Sequence, residues 1–351
     1  SEVLKSSNKT TYNGNYGLNA QWTVYNGSKR LKTIEQEKLN NRVADLDVAT
    51  SENDIEQSIA QVYIQILYAA ESVKVNENTL QVSEAQRDRG KQLLDAGSIA
   101  RSDYAQLEAQ VSTDRYQLVT AQATLQDYKL QLKQLLELDG EQEMQVYLPA
   151  LGDENVLSPL PTKTDVFRSA VALRPEIEAS KLSVEASELG IGIAKSGYLP
   201  SVSLTAGIGT NHTSGSDFTF GEQVKNGWNN SIGLSISVPI FNNRQTKSAV
   251  EKAKLQYQTS QLTLLDEQKT LYKTIEGLWL DANSAQQRYA AAIEKLHSTQ
   301  TSYELVSEQF NAGMKNTVEL LTEKNNLLQA QQELLQSKYM AILNTQLLKF
   351  Y

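Results

Sequence analysis

The side chains that could do chemistry in this chain gather at two short breaks in otherwise helical sequence, LLDAGSIARSDY (93–104) and QFNAGMKNTVEL (309–320). Six residues after the glycine of each break stands an acid, Asp103 after Gly97 and Glu319 after Gly313, and Lys315 follows Gly313 by two. Carboxylates and an ammonium at a chain reversal can pair with one another or ring a pore with charge, and acidic pore rings favour cations. The sequence has no cysteine, so disulfides, thiolate metal sites and thiol catalysis are excluded for these residues. His212 and His297 are the only histidines, one in a polar loop and one inside a helical pattern, and neither has a ligand set nearby. No phosphate loop, nucleophile elbow or metal spacing is present, so no enzyme, no cofactor and no metal site is expected. Three methionines and two histidines make no ladder of soft-metal ligands.

The elements that carry these breaks are unusually long. Over 351 residues there are only six prolines and 18 glycines, with 40% hydrophobic and 21% charged residues, the composition of a folded chain with room for long helices. A net charge of -8 argues against a phosphate-binding surface and hence against a nucleic-acid partner. No run of ~20 apolar residues is present to cross a membrane as a helix, a test that a closed β-barrel escapes. No signal peptide opens the sequence, whose first residues, SEVLKSSNKTTYNGN, are polar.

The chain repeats itself. NYGLNAQWTVYNG (15–27) aligns with SIGLSISVPIFNN (231–243) at an offset of 216, and the same offset, without insertion, pairs Ala96 and Gly97 with Ala312 and Gly313. Two landmarks ~80 residues apart in one register mark two copies of one unit. Each copy opens on alternation. Tyr16, Leu18, Ala20, Trp22 and Val24 alternate with polar residues, as do Ile232, Leu234, Ile236, Val238 and Ile240. A third strand, Val202, Leu204, Ala206 and Ile208, pairs with the second copy's strand through a polar loop at 211–227. The polar faces are Ser, Thr, Gly, Asn and Gln with no charge, and Tyr16, Trp22, Tyr25, Tyr198, Trp228 and Phe241 lie near the strand ends. Uncharged alternating strands with aromatic girdles resemble those of membrane barrels, in which Trp22, Leu204, Leu234 and Ile236 face lipid while Gln21, Thr205, Ser235 and Ser237 face water. Pro239 fits only at a strand end.

A coiled-coil pattern follows each strand. Leu271, Ile275, Leu278, Ala282, Ala285, Tyr289, Ala292, Leu296, Thr299, Tyr303, Val306 and Phe310 step by four and three. Ile55, Ile59, Val62, Ile66, Ala69, Val73 and Leu80 repeat the stripe, and the return limbs carry Leu320, Leu327, Leu334, Ala341 and Leu348 against Tyr104, Val111, Leu118, Leu125 and Leu132. An outgoing limb from Lys29 to Leu93 would be close to ~100 Å long at ~1.5 Å per residue. The many Asp and Glu residues read as solvated flanks of these heptads. The segment 139–173 holds Pro149, Pro159 and Pro161 and reads as short and mixed. Pro175 sits where a first-turn proline is tolerated.

RPEIEASKLSVEASELGIGIAKSGYLPSVSLTAGIG (174–209), GLSISVPIFNN (233–243) and QFNAGMKNTVELLTEKNNLLQAQQELLQSKY (309–339), taken in order, resemble the TolC-type outer-membrane efflux protein family over essentially the whole chain. The resemblance implies an α+β membrane protein in a Gram-negative outer membrane. It implies a homotrimer in which four strands per protomer build a 12-stranded barrel, continued by a 12-helix periplasmic α-barrel of coiled-coil hairpins. The parts are then 1–25 and 199–241 for barrel strands and surface loops, 26–138 for the first hairpin and 139–173 for an equatorial segment. Residues 174–198 form a helix leading to the second β-hairpin, and 242–351 the second hairpin. Only three of the four strands can be found, and the offset of 216 places the first copy's missing strand and helix before Ser1, so some 40 or more further N-terminal residues are expected in the native chain.

The family's function is that of a passive exit duct of a tripartite efflux or type I secretion system, opened at its periplasmic tip by a periplasmic adaptor (membrane fusion protein) and an inner-membrane transporter. By the resemblance, Leu94, Ala96, Gly97, Phe310, Ala312 and Gly313 form the adaptor-docking tips. Lys315 matches a basic tether to Ser102 and Asp103, and Glu319 matches one ring of acids at the gate. The family's second ring falls on Thr322, which is neutral. A structural coiled-coil protein and a periplasmic adaptor without a barrel stay open as alternatives, each opposed by the uncharged strands. Drug, protein and metal export are not distinguished.

Overall fold

The computed structural model describes residues 10–140, 144–149, 152 and 156–351. The chain divides into two compact units, Ser1–Asp45 with Ala179–Leu265, and Leu46–Glu178 with Asp266–Tyr351. Two 67-residue helices run through both, α1 (Lys29–Asp95) and α6 (Gln245–Asn311).

In the first unit, strands β1 (Asn13–Asn26), β2 (Ser201–Thr213) and β3 (Asn229–Ser237) form an antiparallel sheet in the order β1-β2-β3. The pairing register decides which side chains share a face. Trp22, Leu204 and Leu234 stand in one row, Ala20, Ala206 and Ile232 in the next but one, and Gln21, Thr205 and Gly233 in the row between. Side chains alternate across a sheet, so these apolar rows fall on one face and the polar rows between them on the other, with Asn230, Thr210 and His212 the polar residues that share the apolar face. A bulge between Thr23 and Tyr25 lets β1 spend two apolar residues in succession and brings Tyr25 opposite Val202, on the apolar face.

Three expectations need correction here. β3 ends at Ser237, so Val238 and Ile240 lie beyond it; Pro239 has no N–H for the ladder, which closes before it. The loop 211–227 contains a helix, α5 (Phe220–Asn226), started by a reciprocal cap in which Thr219 Oγ1 accepts from Glu222 N–H while the Glu222 carboxylate accepts from Thr219 N–H. Trp22 is four positions inside the end of β1, in mid-sheet.

Each copy enters its long helix through the same corner. Gly27 and Ser28 have φ of 66° and 64°, and their equivalents at the offset of 216, Asn243 and Arg244, have 49° and 61°. Two successive left-handed residues are rare outside glycine, so the repeat extends to backbone conformation. The helix α4 (Pro175–Lys195) packs on both long helices through polar contacts: Gln36 donates to the Ala186 carbonyl at 2.7 Å, and the Ser187 and Ser260 hydroxyls meet at 2.7 Å.

The second unit is built from helical hairpins, α1 with α2 (Arg101–Leu135) and α6 with α7 (Thr317–Phe350). Most of the expected seam is its core, although Ile55, which opens the first stripe, is exposed at 50%. Ile66, Ala69, Val111, Leu132, Leu271, Ile275, Ala282, Ala285, Tyr289, Ala292, Phe310, Leu320, Ala341 and Leu348 are all buried. The segment 139–173, described in part, contributes Val156 to a core cluster with Ile64, Leu67, Tyr289 and Tyr339. It is pinned along α6 by Gln286, which donates to the Val156 and Ser158 carbonyls at 2.8 Å, and by Trp279 Nε1, which donates to the Pro161 carbonyl at 3.0 Å. Its end is helical, α3 (Lys163–Leu173). Arg174, held extended by Pro175 behind it, separates α3 from α4.

Candidate functional site

Both hairpin tips close by the same hydrogen bonds. At the first, Gly97 N–H donates to the Leu94 carbonyl at 2.9 Å and Ser98 N–H to the Leu93 carbonyl at 2.8 Å; at the second, Gly313 N–H donates to Phe310 at 2.9 Å and Met314 N–H to Gln309 at 2.9 Å. This pair of bonds is the glycine-ended helix stop that needs a left-handed residue, and Gly97 and Gly313 have φ of 73° and 74°. A Cβ added at either would meet nothing within 4 Å, so glycine is required for its backbone angle and not for room. Ala96, Gly97, Ala312, Gly313 and Met314 are exposed, Leu94 is half-buried and Phe310 is buried.

The two acids occupy equivalent places, the third residue of α2 and of α7, but work differently. Ala100 N–H donates to Asp103 Oδ2 at 3.2 Å, and the methyl of Ala100 returns nothing. At the second tip Asn316 N–H donates to Glu319 Oε2 at 3.1 Å and Glu319 N–H donates to Asn316 Oδ1 at 2.9 Å, a complete reciprocal cap. Lys315 Nζ lies 2.5 Å from Glu319 Oε1. That hydrogen bond, then the backbone bond from Asn316, holds the Glu319 carboxyl below the usual carboxylate range. Within one chain, then, Lys315 is tied to Glu319 and not to Ser102 or Asp103. Thr322 turns its hydroxyl onto the Val318 carbonyl at 2.7 Å.

Of the aromatic residues, Tyr25, Tyr198, Trp228 and Phe241 stand exposed at or beyond strand ends, and Tyr16, exposed three positions inside β1, lies edge-on to Phe220 at 6.3 Å. Ile232, Leu234 and Ile236 are also exposed, at 84%, 65% and 64%. No helix is long and apolar enough to cross a membrane among the described residues. His212 packs against the Phe220 ring at 5.0 Å, and His297 is exposed on α6.

One cluster escapes the sequence reading. Asp114 and Lys324 are not solvated flanks: they are buried together with Ser83 between the hairpins. Their spacing carries the signal, since Lys324 lies four after Leu320 and three before Leu327, and Asp114 three after Val111 and four before Leu118, which are seam positions.

A sheet with one largely apolar face and no Lys, Arg, Asp or Glu on either, in one chain with two equal coiled-coil hairpins, is the arrangement of outer-membrane efflux proteins. The profile of the outer membrane efflux protein family matches residues 1–137 and 166–349, and the chain belongs to that family. It is 25% identical over 335 residues to outer membrane protein TolC of Escherichia coli K12, covering 92% of this chain and 66% of that protein. It is 25% identical over 290 residues to outer membrane efflux protein BepC of Brucella suis, covering 82% and 60%. The chain therefore spans about two thirds or less of these relatives. A crystal structure of CusC superimposes with a TM-score of 0.82 at 20% identity, over 98% of this chain and 79% of that one, a likeness of fold.

Proposed function

We propose that the chain is the outer-membrane exit duct of a tripartite export system, a passive homotrimer that receives cargo from an inner-membrane transporter through a periplasmic adaptor. The observation that carries this reading is the register of the sheet, which collects Leu18, Trp22, Leu204, Ile232, Leu234 and Ile236 on one exposed face and leaves both faces free of charge. From the Tyr16 row to the Tyr25 row is eight positions of β2, Thr210 to Val202, or ~26 Å along the strand at ~3.3 Å per residue; at the ~35–45° tilt of barrel strands this spans about 20 Å, within the ~25 Å apolar band of an outer-membrane barrel.

Closure supports the trimer. β1 and β3 are the outer strands of the described sheet, and open edges are not tolerated in lipid, so their backbone groups must pair with further strands. Three protomers with four strands each give an even-numbered closed barrel, and their hairpins a 12-helix tunnel. Under this reading the tips dock the adaptor, Lys315 and Asp103 hold the entrance shut, and Glu319 supplies a ring of carboxylates that favours cations.

The test is channel formation by the full chain in planar bilayers. The parent and Ser235→Lys should insert and conduct with cation preference, while Leu234→Lys should lose insertion, a cost of ~2 to 4 kcal/mol near the midplane. Equal tolerance of lysine at both positions would show that the sheet faces water on both sides.

A further inference from the structure

Three polar side chains meet where the heptad pattern asks for apolar ones. Lys324 of α7, Asp114 of α2 and Ser83 of α1 are 3%, 2% and 2% exposed. Lys324 Nζ donates to Ser83 Oγ and to Asp114 Oδ2, Ser83 Oγ also donates to Asp114 Oδ2, and Gln110 Nε2 donates to Asp114 Oδ1 at 2.9 Å. Gln110 Nε2 also lies 3.5 Å from Asn325 Oδ1 on α7. Both carboxylate oxygens are thus used, and the layer bridges one hairpin to the other. Burial pulls the Lys324 ammonium below its usual pKa while the Asp114 carboxylate opposes that pull.

Stability does not account for this layer. Desolvating two ions is costly, and an apolar pair of similar volume is often as stable or more so. The best-attested use of a polar group at a coiled-coil seam is to fix register, because a sliding helix would strand it without its partner. The neighbouring seam residues Leu107, Val111, Leu320 and Ala330 are buried and apolar, with no hydrogen bond to make between α2 and α7. The layer is also absent from the repeat. At the offset of 216, Asp114 corresponds to buried Ala330, Ser83 to Thr299 and Lys324 to exposed Glu108.

We propose that the Ser83–Asp114–Lys324 layer is a register lock that fixes the level at which α7 packs against α2 and makes the two hairpins move as one body beside their tips. The lock is internal to one chain and holds whether or not the chain is a duct. If it is a duct, Glu319, five residues and ~7.5 Å along α7 from Lys324, moves with α2.

The absence of cysteine from these 351 residues makes the test direct. Nitroxide labels are placed on Ala105→Cys of α2 and Thr322→Cys of α7, both exposed, in the full chain in detergent, diluted with unlabelled chain so that intrachain distances are read. The parent should give one narrow distance. Asp114→Leu with Lys324→Met should keep its helicity and add a second population displaced by about 5 to 10 Å, one or two helical turns, and the charge-swapped Asp114→Lys with Lys324→Asp should return to one. Where the apolar pair fails to fold, Asp114→Asn is read in the same way. An apolar pair, or Asp114→Asn, with the parent's single distance overturns the lock, whatever the chain does in a bilayer.

Discussion

At Gly97 and Gly313 the backbone turns through the same angle and closes with the same two hydrogen bonds, yet the residues that follow tie down only the second tip. After Gly313 come Lys315, Asn316 and Glu319, which form an ion pair and a complete reciprocal cap. After Gly97 the cap position is Ala100, and Asp103 has a backbone N–H to hold and no lysine. The bend belongs to the repeated unit; the fastening belongs to one copy. The fold of the tip and its fastening are therefore carried by different residues.

The largest effect should come from the part the tips share. Gly97→Val and Gly313→Val force a branched residue into a left-handed angle, with no contact to relieve or worsen it, and each should cost ~1 to 2 kcal/mol. Amide exchange at Ser98 and Met314 reads this directly. Gly97→Asn and Gly313→Asn should recover most of the protection. Markedly unequal losses at the two glycines would break the equivalence of the bends.

Next come the caps. Asn316→Ala should weaken the start of α7 by ~1 kcal/mol, and Ala100→Asn should strengthen the start of α2 by a similar amount, seen as opposite changes in exchange at Glu319 and Asp103. If Ala100→Asn gains nothing, the first tip is already as well fastened as the second.

The smallest effect concerns pH. The folded pKa of Glu319 is lowered, so the unfolded tip binds more protons; the carboxylate's contribution is present at neutral pH and is lost as pH falls through the lowered value. The protection factor of the Glu319 amide, measured against its intrinsic exchange rate at each pH, should fall on acidification below the ordinary carboxylate range. Lys315→Ala should flatten that profile and, in bilayers, raise conductance at neutral pH. An unchanged profile in Lys315→Ala would mean that the ion pair contributes nothing to holding the tip.

Much of this could be read from spacing alone. The four-and-three stripe from Leu271 to Phe310 and the alternation from Leu18 to Trp22 became the buried seam and the apolar face because a period of 3.5 or 2 leaves a side chain only one side to occupy. Gly97 and Gly313 announced their bends because few other residues take that angle. What spacing misled about was charge: Asp114 and Lys324 are charged residues at seam positions, and a rule that sends charge to water places both outside. The pair could be buried only because α2 and α7 bring it together from positions 210 apart in the chain. Lys315 is the opposite case: Glu319 lies only four residues on, across the cap of α7, a local pairing that spacing could have offered.

By itself the sequence determined the repeat, the periods and the bends, since each follows from local backbone preference and from which face of one element is apolar. Tertiary structure alone decided the alignment of Trp22 with Leu204 and Leu234, the slip that sends Tyr25 to the apolar face, and the meeting of Ser83, Asp114 and Lys324. Those depend on the register between distant segments, and register is a property of pairs of elements that no single element's pattern contains.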